Sequence, residues 1–383
     1  MADGDLNVMT PAAMPPHRGR WWLDIRWIMA GVVIGMIAFL AWGLFGPEPA
    51  VRVSRETTFI TEPLAADGLP DYRAALLAMA GPAPPPEDNA AATLLQVFWP
   101  LGIDAADLPA VCAALGIPNE PPSDPLRVPH EDAAWKVTVE DYDAGLERPW
   151  TGEELPALEA WLVANEGAID QVVAATKRSR YWLPSPSLLG STEGLLFGLD
   201  MPDLQQLRNA AQTLVCRAQW HIGEGRHAEA WQDILATYRL SNLIAAPECR
   251  SQCLVTRLMS VAIQATADGV ALELLNRAML APDLFANVCR DLDSLGPSGT
   301  LAEAMLWERL GVVDAIVYCA RRNQGGRAGR VELFQGTFDS QVLSLLRTSL
   351  DWNDVLRRVN EEHDTIKQAM RLPTVAAKRA ILD

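Results

Sequence analysis

The stretch Ala218–Trp231, "AQWHIGEGRHAEAW", sets His221, His227, Glu224 and Glu229 around Gly223 and Gly225, in a chain with only five histidines. Imidazoles and carboxylates are zinc ligands and proton carriers. The spacing argues against both roles. On one helix, residues six apart point about 120° away from each other, whereas the zinc-binding H-E-x-x-H pair needs a four-residue step. Glycine also supplies the left-handed conformation that ends a helix. The stretch therefore reads as the turn of a helical hairpin over about 202–245, with both histidines near helix ends and Trp231 in the core. Gly225, Ala230 and, seven before the glycine, Ala218 stand where tetratricopeptide hairpins place small residues. Thr237 and Asn242 depart from the usual alanine and proline, and no second copy follows, so a single such hairpin is expected.

Two further groups of polar residues interrupt apolar helical patterns. Glu308, Arg309 and Asp314 lie in "LWERLGVVDA", and Asp351, Trp352 and Asn353 open the last long helix. Buried charges survive only when paired, so Glu308 and Arg309 are expected to pair with neighbouring helices, for instance at Arg239. An aspartate such as Asp351 can also cap a helix. The functional alternative makes Arg239, Glu308, Arg309, Asp314, Trp352 and Asn353 a binding set. A hydrolase built there needs the carboxylates of Glu308 and Asp314 within about 5–10 Å of each other. The chain contains no Ser-His-Asp order, nucleophile elbow, phosphate loop or zinc pattern, so no catalytic residue, cofactor or metal ligand is assigned. The six cysteines form no C-x-x-C; Cys249 and Cys253, four apart on one helix face, suit a disulfide poorly. Buried free thiols are expected.

The elements that position these groups begin with "WIMAGVVIGMIAFLAWGLF", Trp27 to Phe45, which holds no charge and no proline. As a helix it spans about 28 Å, close to the hydrocarbon core of a bilayer. Trp21, Trp22 and Trp27 flank one end and Trp42 the other, where amphipathic rings favour the headgroup level. A cleaved signal peptide is the competing reading, but the run closes on a poor cleavage site and a polar tail precedes it. The expected order is a cytoplasmic tail 1–26, a transmembrane helix 27–46, a spacer 47–66 with "VRVSRETTFI" extended, a loop-rich segment of short helices 67–150, and a helical-hairpin domain 151–383. Arg18, Arg20 and Arg26 before the span favour a cytoplasmic N-terminus and a domain exported to the periplasmic side. Gly31 and Gly35 form a GxxxG that allows self-association of the span.

The net charge of −16 falls entirely beyond the span. Such a surface is repelled by phosphate backbones, which excludes nucleic acid as a partner. Apolar residues recur at helical spacing from Thr151 onward, with Thr151 and Glu154 at capping-box spacing. A further helix is expected to begin near Pro202, with others near 228–245, 249–279, 282–295, 301–322, 338–350 and 351–371, while 119–149 reads as irregular. No alternation long enough for a sheet occurs. The fold class is all-α: a membrane anchor followed by stacked antiparallel helical hairpins.

The blocks "DGLPDY", "PEDNAA", "RPWT", "ATKRSRYW", "GEGRHAEAWQDILATYRLSNL", "DLDSLGP", "WERLGVVDA" and "DWNDVLRRVN", in this order behind an N-terminal anchor, carry a further likeness. With them the chain, from about Glu62 to Pro373, resembles a family of uncharacterised single-pass membrane proteins of planctomycete bacteria. The resemblance implies a membrane-anchored helical domain and brings no catalytic residues. Family members tend to carry a histidine before the arginine of "ATYRL", where this chain has Tyr238, so no role of that histidine transfers. The expected function is protein or peptide contact, with the carboxylate hydrolase as its alternative.

Overall fold

The computed structural model describes residues 29–37, 49–189, 195–196, 201–246, 253–277, 282–296, 299–324, 351–372, 377, 379 and 381. Among the described residues the regular structure is helical and no strand forms; two isolated bridges join Leu64 to Pro70 and Asn89 to Arg180. The chain divides into two units, Met1–Ala50 with Arg327–Asp351, and Val51–Gly326 with Trp352–Asp383.

In the first unit residues 29–37 form a helix, α1, whose Met29, Val32, Ile34, Met36 and Ile37 side chains are exposed. The rest of the expected transmembrane helix, the tail before it, Cys249 and the expected helix at 338–350 lie outside the described residues.

The second unit opens with short helices, three of which have side-chain caps. They are α2 (Tyr72–Ala80), α3 (Ala90–Val97), α4 (Leu108–Leu115), α5 (Val139–Glu147), α6 (Pro156–Ala164), α7 (Glu166–Ala175) and the single turn α8 (Pro186–Leu189). Asp71 caps α2 by accepting the Ala74 amide at 2.9 Å, and Asn89 caps α3 through the Ala91 amide at 3.1 Å. Each satisfies one of the four donors that a helix start leaves free. The capping box expected at Thr151 and Glu154 does not form: α6 starts at Pro156, and Arg148 takes the Glu154 carboxylate at 2.9 Å. Proline at the first helical position loses no hydrogen bond, which fixes the start there. A true box joins Thr138 and Asp141 at the start of α5, inside the stretch expected to be irregular.

The long helices follow: α9 (Leu204–Gly223), α10 (His227–Ala245), α11 (Leu254–Arg277), α12 (Pro282–Ser294), α13 (Leu301–Gln324) and α14 (Trp352–Met370). Helices α9 and α10 make the expected hairpin. Gly225 takes φ +73°, and the Arg226 amide bonds the His221 carbonyl at 2.8 Å. Ala218, Ala230 and Trp231 are buried where the two helices meet, and α11 packs against both. Gly223 lies so close to the Trp150 backbone that a side chain would strike its carbonyl.

One core cluster runs from Ala90 through Trp150, Trp161 and Ile169 to Leu214 and Ile244, so the expected boundary at residue 150 falls inside continuous packing. A second fills the α9–α10–α11–α12 interior. A third joins Val51, Tyr72 and Leu76 to Leu310, Val313, Val317, Trp352 and Leu356. The expected spacer belongs to this third cluster. Residues 54–59 turn rather than extend, with Thr57 and Thr58 buried. Asn360 of α14 donates to the carbonyls of Thr57 at 2.7 Å and Glu56 at 3.1 Å.

Candidate functional site

The hairpin turn carries a dense polar cluster. Arg217 of α9 grips Asp233 of α10 through Nε at 2.9 Å and Nη2 at 2.6 Å, and reaches Asp170 of α7 at 2.8 Å. Such a two-pronged pair fixes geometry as well as charge. His221 Nε2 lies 3.7 Å from Asp233, and its ring stacks on Trp220, which in turn stacks on Trp150. The Arg226 guanidinium covers the Trp220 ring at 4.0 Å. Burial pushes the Asp233 carboxyl up to about 6, against the pull of Arg217. Burial, with Arg226 and Arg217 beside it, pushes His221 down to about 4, so its imidazole is neutral at pH 7. Both histidines sit at helix ends, as expected: His221 lies in the last turn of α9, packed into the hairpin, and His227 opens α10 half-exposed. The arrangement locks three helices together.

The other candidate residues are drawn to separate tasks. The Glu308 carboxylate accepts the Leu254 amide at 2.9 Å and so caps α11. Arg309 is buried, pairs with Asp364, and lies over the Phe59 ring at 4.4 Å. Asp314 accepts the Leu196 amide at 2.9 Å, and burial pushes its carboxyl up to about 6. Trp352 joins the third core cluster, and Asn353 Oδ1 accepts the Arg52 amide at 2.7 Å. Arg239 is half-buried and makes no hydrogen bond or ion pair among the described residues, so the expected pairing with Glu308 or Arg309 does not occur. Arg309, Trp352 and Asn353 come together around residues 51–59, whereas Glu308 and Asp314 each serve a backbone amide of a different segment. Among the described residues no three His, Cys, Asp or Glu side chains form a metal-binding group. Cys112, Cys216 and Cys253 are buried free thiols, Cys319 is half-buried and Cys289 is exposed.

A different feature was not anticipated. Helix α11 is apolar on two opposite faces. Thr256, Ser260, Ile263, Ala267, Val270 and Leu274 face α9, α10 and α13 and are buried. The other stripe, Val255, Leu258, Ala262, Ala265, Gly269 and Leu272, is exposed along its whole length. Leu258 is 52% and Leu272 59% exposed. The steps of three, four, three, four and three residues make the exposed stripe a heptad seam. The helix is 24 residues long, an 18-residue window of it has mean hydropathy 1.4, and by length and composition it alone among the described residues could cross a membrane. That candidate lies in the middle of the chain, away from the expected N-terminal span. Apolar residues spread round this helix instead of gathering on one stripe, and that spread is the sequence signal available for the seam.

No family model, curated protein or solved structure matches this chain.

Proposed function

We propose that the chain is a membrane-anchored helical domain that works by contact with a protein or peptide helix, and that the exposed seam of α11 is the contact surface. The observation that carries this reading is the row from Val255 to Leu272, apolar and in solvent. Exposed apolar patches of this kind mark interaction sites. Ala262, Ala265 and Gly269 at the centre let a second helix approach to about 8 Å, the short end of helix packing distances. Lipid is the poorer occupant. A helix lying on a bilayer needs basic flanks, whereas Asp268 and Glu273 flank this seam in a chain of net charge −16.

The apolar run 27–45 and the exposed side chains of α1 support the anchor, with the domain exported as the flanking arginines favour. At Gly31 and Gly35 a Cβ would meet nothing within 4 Å, so the GxxxG face is open to a second span. The likeness to the planctomycete single-pass proteins fits the same arrangement. The test replaces Ala265 with a photo-crosslinking amino acid in the membrane-bound chain, with Glu140 of α5 as the control position. A protein adduct at 265, absent at 140 and lost on adding Leu258→Asp with Leu272→Asp, is expected. Lipid adducts alone, or none, would overturn the reading. A reporter active only outside the cytoplasm, fused after Asp383, tests orientation; a silent, well-expressed fusion would reverse it.

A further inference from the structure

We infer that the occupant of the α11 seam is a second copy of this chain, with the two α11 helices antiparallel. The inference rests on the reading of the seam as a protein-contact surface.

The seam is complementary to its own reverse. In an antiparallel pair it forms six layers. Val255 packs on Leu272 of the second copy, Leu258 on its Gly269 and Ala262 on its Ala265, and the remaining three layers repeat these by symmetry. A leucine knob thus meets a glycine that leaves room for it. Small residues meet where the helices cross most closely, and large ones fill the ends. This is the self-complementary patch that a two-fold interface requires.

Charge selects the same orientation. Along α11 the half before Asp268 carries a single charged residue, Arg257, which is buried; Asp268, Glu273 and Arg277 all lie in the second half. Residues beside the seam meet across a helix pair and set its direction. A parallel pair would set Asp268 against Glu273 of the second copy, twice, between chains that already repel each other at −16. The antiparallel pair sets Asp268 beside Val261 and Glu273 beyond the other helix's start, where no acid faces another. Adding a side chain at Gly269 also tests the pair without disturbing the monomer, because a Cβ there meets nothing within 4 Å.

The experiment uses the full chain in membranes, with Cys249, Cys289 and Cys319 changed to serine. Chains bearing Leu258→Cys and Gly269→Cys are expressed separately and together, and oxidised with copper phenanthroline. A disulfide-linked dimer is expected only on co-expression, since antiparallel pairing holds the two copies of position 258 about 16 Å apart along the axis. Gly269→Glu is expected to abolish dimers trapped by a second engineered pair, Val255→Cys with Leu272→Cys, while the thermal melt is kept. Cross-linking of either single-cysteine chain alone to the same yield would mean a parallel pair and overturn the inference. No cross-link in any combination would overturn it as well. If the photo-crosslinker at 265 then still captures another protein, the contact-surface reading stands and only its partner was misassigned. If it captures none, both fall.

Discussion

The Glu308 carboxylate of α13 accepts the amide of Leu254, the first residue of α11, at 2.9 Å. A helix start leaves four amides free and carries the positive end of the helix dipole, so a carboxylate there acts twice. Glu308→Ala is expected to cost about 1 kcal/mol, and Glu308→Gln less because it keeps the acceptor. Hydrogen exchange checks the location: amides over 254–258 should lose protection while those near Leu274 keep theirs. Unchanged protection in Glu308→Ala would show that the bond contributes nothing.

Gly223 and Gly225 flank one turn yet carry different burdens. A Cβ at Gly223 would collide with the Trp150 backbone, which has no flexible end to swing away. At Gly225 a Cβ meets nothing within 4 Å, and only the φ of +73° resists a side chain. Gly225→Ala is therefore expected to cost about 1 kcal/mol. Gly223→Ala should cost several times more, because the hairpin must shift off Trp150. Urea denaturation of both variants ranks them; equal midpoints would refute the assignment.

These contrasts show where the amino-acid sequence is informative. Caps at Asp71 and Asn89 are local, satisfied within three residues, and visible from residue type. The hairpin turn is local too. The box at Thr151 and Glu154 misleads because Pro156 and Arg148 compete for the same few atoms. The clasp of Asn360 on Thr57 spans 303 positions, and no periodicity could announce it. Asn353 and Trp352 stand out by residue type, but Arg52, whose amide Asn353 accepts, and Val51, in the cluster that Trp352 joins, lie in the segment expected to be a spacer. The seam on α11 is not legible in the sequence because apolar residues lie all along the helix on more than one face, and only packing tells which face is covered.

Two buried groups should tilt the pH dependence of stability in opposite directions. Asp314 has an ordinary carboxyl pKa of 3.8 that burial raises to about 6. Between those values the folded state holds a proton that the unfolded chain has released. Its contribution is therefore full in acid and is lost as pH rises through 6. His221 moves from 6.5 down to about 4, so its contribution is full above 6.5 and is lost as pH falls toward 4. The stability at about pH 7.5 minus that at about pH 4.5 should rise by about 2 kcal/mol in Asp314→Asn and fall by a similar amount in His221→Phe. Asparagine keeps an acceptor for the Leu196 amide, and phenylalanine keeps the stack on Trp220. Urea unfolding of both variants at the two pH values decides it. Shifts of the same sign would refute at least one assignment.

The last expectation separates the two stripes of α11 within the monomer. Leu274 on the inner stripe is 1% exposed and packs among Val215, Trp231 and Val270. Leu272, two residues away, is 59% exposed. Leu274→Ala removes buried methyl groups and leaves a cavity, which costs about 2–5 kcal/mol. Leu272→Ala removes little that the fold has taken from water, and alanine is the better helix former, so its effect should stay within about 0.5 kcal/mol. Measured at dilutions where copies are apart, the two variants should differ by at least about 2 kcal/mol. Measured at concentrations where copies associate, Leu272→Ala should lose the added stability that association confers on the native chain, since a contact that binds only the folded state stabilises it by mass action. If Leu272→Ala is as damaging as Leu274→Ala at high dilution, the outer stripe is a face the monomer already covers, and no partner is needed to explain it.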